Sequence, residues 1–244
     1  MAAPLQTAWR SARTRIHSQL SSWLLPASCV LCGASGADFC AACLADLDAP
    51  LASSCHQCGL SLPDITPAAR CGACLREAPV FERTIMAALY RPPFDQLVLA
   101  LKFHAQLAFA PMFAELLARR VGHHQLPRPD LILPVPLSVE RLAERGFNQA
   151  MEIARPLARR LGVPVRDAAV RLRHTPPQAS RPMDERHHNI RNAFHIPVEL
   201  SGQVVAVVDD VMTTGATLND MARALKQAGA RSVVNLVVTR TPLT

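Results

Sequence analysis

Val204-Val205-Ala206-Val207-Val208-Asp209-Asp210-Val211-Met212-Thr213-Thr214-Gly215-Ala216-Thr217 is the stretch on which the fold turns. Five small apolar residues run without a break, as a strand buried on both faces requires. Two carboxylates follow at its carboxyl end. A turn rich in hydroxyls and glycine comes next, and then Leu218, Met221, Ala222 and Leu225 recur at helical spacing. In open α/β sheets, ligands sit beyond the carboxyl ends of the strands. The turn aims backbone N–H groups at that place, and the helix N-terminus adds partial positive charge. With the hydroxyls of Thr213, Thr214 and Thr217 this makes a cradle for a phosphate monoester. Asp209 and Asp210 can accept hydrogen bonds from sugar hydroxyls or hold a metal. An ordinary buried strand with a turn and an N-cap would not need two adjacent carboxylates.

The same stretch resembles the phosphoribosyl-pyrophosphate (PRPP) motif of type I phosphoribosyltransferases: four apolar residues, two acids, two apolar residues, two small hydroxyl residues, glycine, any residue, then Ser or Thr. The resemblance implies that Asp209 and Asp210 hold the ribose 2′- and 3′-hydroxyls, directly or through Mg²⁺. It implies that Thr213, Thr214, Gly215, Ala216 and Thr217 bind the 5′-phosphate.

Working outward, 244 residues can hold one mid-sized domain and a small one. Half of the residues are hydrophobic, enough for a core. The net charge is +7, and Lys102 and Lys226 are the only lysines among the basic residues. An arginine excess suits bidentate contacts to phosphate, and it also arises from coding bias. No stretch approaches the roughly 20 apolar residues of a membrane span. The N-terminal run Leu20 to Leu25 is too short and too serine-rich for a signal sequence, so a cytoplasmic protein without a transmembrane segment is expected.

Residues 1–28 read as a basic lead-in. Trp9, Ile16, Leu20, Trp23 and Leu24 fall roughly on one helical face. Residues 29–80 read as a Cys-rich, double zinc-ribbon module. All eight cysteines lie in Cys-x-x-Cys pairs: Cys29/Cys32, Cys40/Cys43, Cys55/Cys58 and Cys71/Cys74. The segment repeats itself, since Cys29-Val-Leu-Cys32-Gly33 is echoed by Cys55-His-Gln-Cys58-Gly59. Four pairs in a row point to metal ligation by tetrahedral thiolate sites, not to disulfides or a redox dithiol. Two structural zinc ions are expected, paired in sequence or interleaved, and spacing leaves both pairings open. Such a module is too small and polar for a core of its own, so metal should supply its stability.

Residues 81–244 read as one α/β domain with a mainly parallel sheet. Strands are expected at 84–90, 130–136, within 163–172, at 194–196 and at 232–238. Helices are expected at 94–104, 109–121 and 148–161, with Pro156 a kink and Gly229 capping the helix after the signature. Two further groups of residues point at the same cleft. Pro136, Leu137 and Ser138 form a turn at a strand end, and Arg141 and Arg145 follow on one helical face, where they could grip a pyrophosphate. Exposed pairing with Glu140 and Glu144 is the alternative. The long loop from Arg171 to Arg191 holds Arg171, Arg173, Arg181, Arg186 and Arg191, as a flexible basic lid would.

Taken in order, the four Cys pairs, Leu101-Lys102-Phe103, Pro134-Val135-Pro136, Arg145-Gly146-Phe147-Asn148-Gln149, Arg191-Asn192-Ala193-Phe194 and the Asp209-Asp210 motif resemble the ComF/GntX family. The resemblance covers nearly the whole chain from residue 29. It implies a type I phosphoribosyltransferase-like fold behind a zinc module, binding of PRPP or a nucleotide with Mg²⁺, and a part in handling imported single-stranded DNA. Thr213 stands where 6-oxopurine phosphoribosyltransferases carry an aspartate base, so that activity is not expected. Met1-Ala2-Ala3 offers no N-terminal cysteine nucleophile, so glutamine-dependent amide transfer is not expected either. The sequence assigns no catalytic base. Two rivals to a phosphoribosyltransferase remain: a non-catalytic module for nucleotide or single-stranded DNA, and an adaptor docking a DNA-uptake helicase or processing protein.

Overall fold

The computed structural model describes residues 28–37, 39–48, 51, 53–62, 70–124, 128–172 and 192–242. The lead-in expected over 1–28, apart from Ser28, lies outside them. So do Arg173, Arg181, Arg186 and Arg191. The chain divides into two compact units, Met1–Leu47 and Asp48–Thr244. That division falls inside the stretch read from sequence as one zinc module. No helix of the described residues is long and apolar enough to cross a membrane.

Among its described residues the first unit carries one short helix, α1 (Ala41–Leu47), with no buried residue. The second unit opens with α2 (Gly72–Arg76) and continues as β1 (Arg83–Leu89), α3 (Phe94–His104), α4 (Phe109–His123) and β2 (Leu131–Pro134). Next come α5 (Val139–Arg145), α6 (Gln149–Leu161) and the two-residue strands β3 (Val170–Arg171) and β4 (Phe194–His195). It closes with β5 (Val204–Met212), α7 (Ala216–Gln227) and β6 (Ser232–Arg240).

Four strands form one parallel sheet in the order β1-β6-β5-β2. A parallel sheet needs both faces covered, and the sequence supplies the cover. Side chains alternate faces along a strand. Val205 and Val207 of β5 share a core cluster with Leu218, Met221, Ala222 and Leu225 of α7. Ala206 and Val208 point to the other face, where α6 packs on β5 and β2 and α4 packs on α6 and β1.

The signature strand is longer than its apolar run suggests. It continues through Asp209 and Asp210 to Met212, because β6 offers partners as far as Arg240. The end of α7 differs slightly as well: the helix stops at Gln227, Ala228 caps it, and Gly229 comes after at φ 95°.

Candidate functional site: two thiolate centres and a cationic cleft

Each Cys-x-x-Cys-Gly stretch folds into the same knuckle. Gly33 N–H donates to the Cys29 carbonyl at 2.7 Å, and Gly59 N–H donates to the Cys55 carbonyl at 2.8 Å. Both glycines adopt the left-handed conformation that this tight turn requires (φ 76° and 68°). The second half of each repeat adds another N–H to sulfur. Cys40 donates to Cys29 Sγ at 3.4 Å and Cys71 donates to Cys55 Sγ at 3.3 Å. The N–H groups of Cys40, Cys32 and Leu31 pull the Cys29 thiol down to about 6. Burial pushes Cys55 up, but N–H groups from Cys58, Cys71 and Gln57 outweigh it and hold the thiol at about 7. The neighbouring thiols push Cys43 up and burial pushes Cys58 and Cys74 up, so each group pairs a favoured thiolate with thiols that give up a proton only to a soft metal.

The sulfurs converge in two groups, Cys29/Cys32/Cys40/Cys43 and Cys55/Cys58/Cys71/Cys74, each with all four Sγ atoms within 4.8 Å of one another. The pairing is therefore sequential, and the interleaved alternative is excluded. Cys32 and Cys40 Sγ lie 3.7 Å apart, and Cys58 and Cys71 Sγ 3.5 Å. A tetrahedron with Zn–S bonds of about 2.3 Å has S···S edges of roughly 3.8 Å. The two groups fit a double zinc ribbon with every position taken by protein.

The α/β unit presents a cleft of about 240 Å³ at the carboxyl end of its sheet. It is lined by Asp209 and Asp210, by residues 211–218, by Val135, Pro136 and Leu137, and by Lys102, Arg141, Arg145, Gln149 and Arg171. The structure thus gathers the acidic pair, the whole 213–217 turn, Pro136, Leu137, Arg141, Arg145 and Arg171 around one space. Ser138 is not in the lining. It is buried and serves as the N-cap of α5, accepting the Arg141 N–H at 3.4 Å.

The 213–217 turn opens onto a helix N-terminus. Gly215 sits at φ 83° directly before α7, so the first N–H groups of that helix have no intrahelical acceptor. That left-handed conformation favours glycine, and Met212 Cε, the flexible end of its side chain, lies 2.5 Å from where a Cβ would stand. Thr214 Oγ1 accepts the Ala216 N–H at 3.3 Å and sets the turn's pitch. On the far side, Gly146 (φ 80°) ends α5, and Asn148 caps α6 while donating from Nδ2 to the Val135 carbonyl at 3.1 Å. Asn148 thereby ties the proline turn to the start of α6, directly after the helix that carries Arg141 and Arg145.

Known proteins share both parts of this arrangement. Residues 148–242 match the phosphoribosyl transferase domain, and residues 20–75 match the double zinc ribbon domain. DNA utilization protein YhgH of Salmonella typhi is 37% identical over 186 residues, spanning 74% of this chain and 81% of that one. Competence protein F of Haemophilus influenzae is 34% identical over 187 residues, spanning 73% of this chain and 81% of that one. The chain belongs to the ComF/YhgH family. YhgH of Escherichia coli K12, at 36% identity over 184 residues, shares 73% of this chain and 80% of its own length.

Within this family member, the electrostatics of the cleft are uneven. Burial and the neighbouring Asp210 carboxylate push Asp209 up to about 8, with Lys102 acting in the opposite sense. Asp210 is buried and salt-bridged to Lys102 Nζ at 3.0 Å. Burial depresses Arg145, as does the charge of Arg141, while Asp210 opposes both. Burial depresses Arg171 too, again with Arg141 adding to it. Four cations therefore stand around two acidic side chains in a partly dewatered space.

Sequence reasoning missed Lys102 and Gln149 as lining residues. Gln149 Oε1 accepts from Arg145 Nη1 and fixes that guanidinium over the cleft. Lys102 carried a signal that went unused: it is one of two lysines in an arginine-rich chain.

Proposed function

We propose that the cleft binds PRPP or a closely related nucleotide with Mg²⁺ and that the protein transfers its ribosyl-phosphate unit. The observation that carries this reading is the convergence of an acidic pair, of which Asp210 is buried, a turn that opens a helix N-terminus and four cations on one cleft. The 5′-phosphate takes the N–H groups at the start of α7, and the ribose diol faces Asp209 and Asp210. The pyrophosphate lies toward Pro136, Leu137, Arg141, Arg145 and Arg171.

Magnesium fits this donor set. It binds through one or two carboxylates plus substrate phosphates and retains several waters. Asp209, held up by burial beside a second carboxylate, is a group whose ionised form a divalent cation would stabilise. The metal, when bound, would shield the pyrophosphate charge. This chain's own residues position the sugar, exclude water and neutralise the leaving group. In the transfer, pyrophosphate departs from C1 with the bonding electron pair, the acceptor's lone pair forms the new bond, and its proton passes to solvent. Given the names of its relatives, we place this activity in DNA utilization and competence. The zinc-thiolate chemistry suits a reducing, cytoplasmic setting.

A second reading is favoured by one feature, the Phe103 ring. It is 67% exposed, with the Arg145 guanidinium 5.4 Å from its centroid. Such a pair offers a base a stacking surface at the cleft, as a non-catalytic nucleotide or single-stranded DNA module would. Calorimetric titration separates the two. Mg·PRPP should bind the wild type and not Asp209→Asn/Asp210→Asn. Salt-sensitive oligonucleotide binding indifferent to that change, with no PRPP binding, would favour the module.

A further inference from the structure

The second thiolate centre is not a separate appendage of the α/β unit. Cys55, Cys58, Cys71 and Cys74 belong to the same core cluster as Phe81, Met86, Met212 and Leu218. One side chain connects the knuckle to the phosphate turn directly. Arg240, the last residue of β6, is 5% exposed and turns its guanidinium back beneath the sheet end. Its Nε donates to the Cys58 carbonyl at 2.9 Å. Its Nη1 donates to the Met212 carbonyl at 3.3 Å and to the carbonyl of Thr213. A further bond from Nη1 reaches the Thr241 carbonyl at 2.6 Å. One rigid fork thus joins the zinc knuckle to the first residue of the phosphate turn.

A parallel path runs through Phe81. Gln57, inside the knuckle, donates to the Pro79 and Phe81 carbonyls at 3.1 and 3.2 Å. The Phe81 ring then closes against Gly215 (Cζ 4.0 Å from the position of a Cβ there).

The charge of Arg240 points the same way. Among the described residues no carboxylate lies in salt-bridge contact with it. A zinc ion with four thiolates is net anionic, so the loaded centre is the counter-charge of a buried guanidinium. Emptying the centre lets the four thiolates take up protons, which removes that counter-charge and loosens the knuckle that holds the Cys58 carbonyl.

We infer that Arg240 is a positioning residue that makes the second zinc centre a strut of the phosphate turn, so that metal occupancy of Cys55, Cys58, Cys71 and Cys74 governs how firmly residues 212–217 are held. Loss of zinc or oxidation of these thiols would then lower anion binding at a site that none of them touches. The effect on ligand affinity rests on the PRPP reading above. The effect on the turn itself does not.

The test is hydrogen–deuterium exchange on the full chain, with zinc content measured alongside. Removing zinc from the wild type should raise exchange over 212–218 at least about tenfold, while β2 peptides stay protected. Cys32→Ser, which empties only the first centre, should leave 212–218 unchanged. Arg240→Lys, still holding both zinc ions, should show the raised exchange without metal removal. Where Mg·PRPP binds, its affinity should fall by a similar factor in Arg240→Lys. Unchanged 212–218 exchange in Arg240→Lys with zinc bound would overturn the proposal. So would a stripped wild type whose 212–218 segment stays protected while the knuckle opens. Should Arg240→Lys fail to fold, the wild-type and Cys32→Ser arms decide alone. Should PRPP not bind at all, the exchange data still decide this inference.

Discussion

The two zinc knuckles share one local fold and differ in almost everything around it. Their turn hydrogen bonds match: Cys29 N–H to the Ala34 carbonyl at 2.7 Å, Cys55 N–H to the Leu60 carbonyl at 2.7 Å. Each is framed by an antiparallel bridge, Ser28 to Ser35 and Ser54 to Ser61. Yet in the first centre Cys32 is exposed and α1 buries nothing, whereas in the second all four cysteines are buried. The Cys-x-x-Cys-Gly motif dictates the knuckle. The surrounding residues decide whether the knuckle stands by itself or becomes part of a domain. A Cβ on Gly59 would meet Thr84 Cγ2 at 3.5 Å, whereas one on Gly33 would meet nothing within 4 Å.

The largest effect expected of this difference is on folding. Cys58→Ser should lower the melting temperature of the α/β unit by at least about 10 °C while leaving its sheet folded at about 25 °C, since the binding free energy of a structural zinc is folding free energy. Cys32→Ser should leave the main thermal transition within about 2 °C. Differential scanning calorimetry with zinc analysis reads both, and equal losses would erase the distinction between the centres.

Next in size is Gly215→Ala. A side chain at φ 83°, set against Met212 Cε, should cost roughly 1–3 kcal/mol. It should also weaken Mg·PRPP binding, because the turn lies where the second centre braces it. Chemical denaturation and calorimetry on the same variant would show whether the two losses travel together.

A smaller effect concerns Asp209. Its pKa is raised from 3.8 to about 8, so between those values the folded state binds more protons than the unfolded chain. Stability associated with this group is therefore present at low pH and lost as pH rises through about 8. Asp209→Asn removes the penalty. It should raise the melting temperature by at least about 2 °C at pH 8.5 and by less at pH 5.5. A variant no more stable at high pH than at low would show that Asp209 is not held protonated.

The smallest concerns Lys102. Lys102→Met frees Asp210 of its cation. It should strengthen Mg²⁺ binding in the absence of PRPP, read by calorimetric titration, and leave both zinc ions in place.

Much of this was legible in the sequence, for reasons specific to particular residues. Val204 to Val208 has no reading other than a doubly buried strand, and the acids and turn after it have few. The cysteine spacing announced two tetrahedral centres, and only their pairing needed coordinates. Arg141 and Arg145 were correctly set on one helix by their separation of four. What stayed hidden depends on contacts between distant residues. Arg240 reaches Cys58 across 182 positions, and nothing periodic announces it. Ser138 read as a phosphate ligand because a serine after a strand end is also what a helix N-cap looks like. Fusion of the second knuckle with the core depends on Leu60, Phe81 and Met86, apolar residues that look ordinary in the sequence.

The most direct measurement is a crystal structure of the zinc-loaded protein soaked with Mg·PRPP. The 5′-phosphate should sit on the N–H groups at the start of α7 and the ribose hydroxyls at Asp209 and Asp210. The pyrophosphate should face Arg141, Arg145 and Arg171. A phosphate seated elsewhere, or an Asp210–Lys102 pair left undisturbed with the ligand bound outside the cleft, would contradict it.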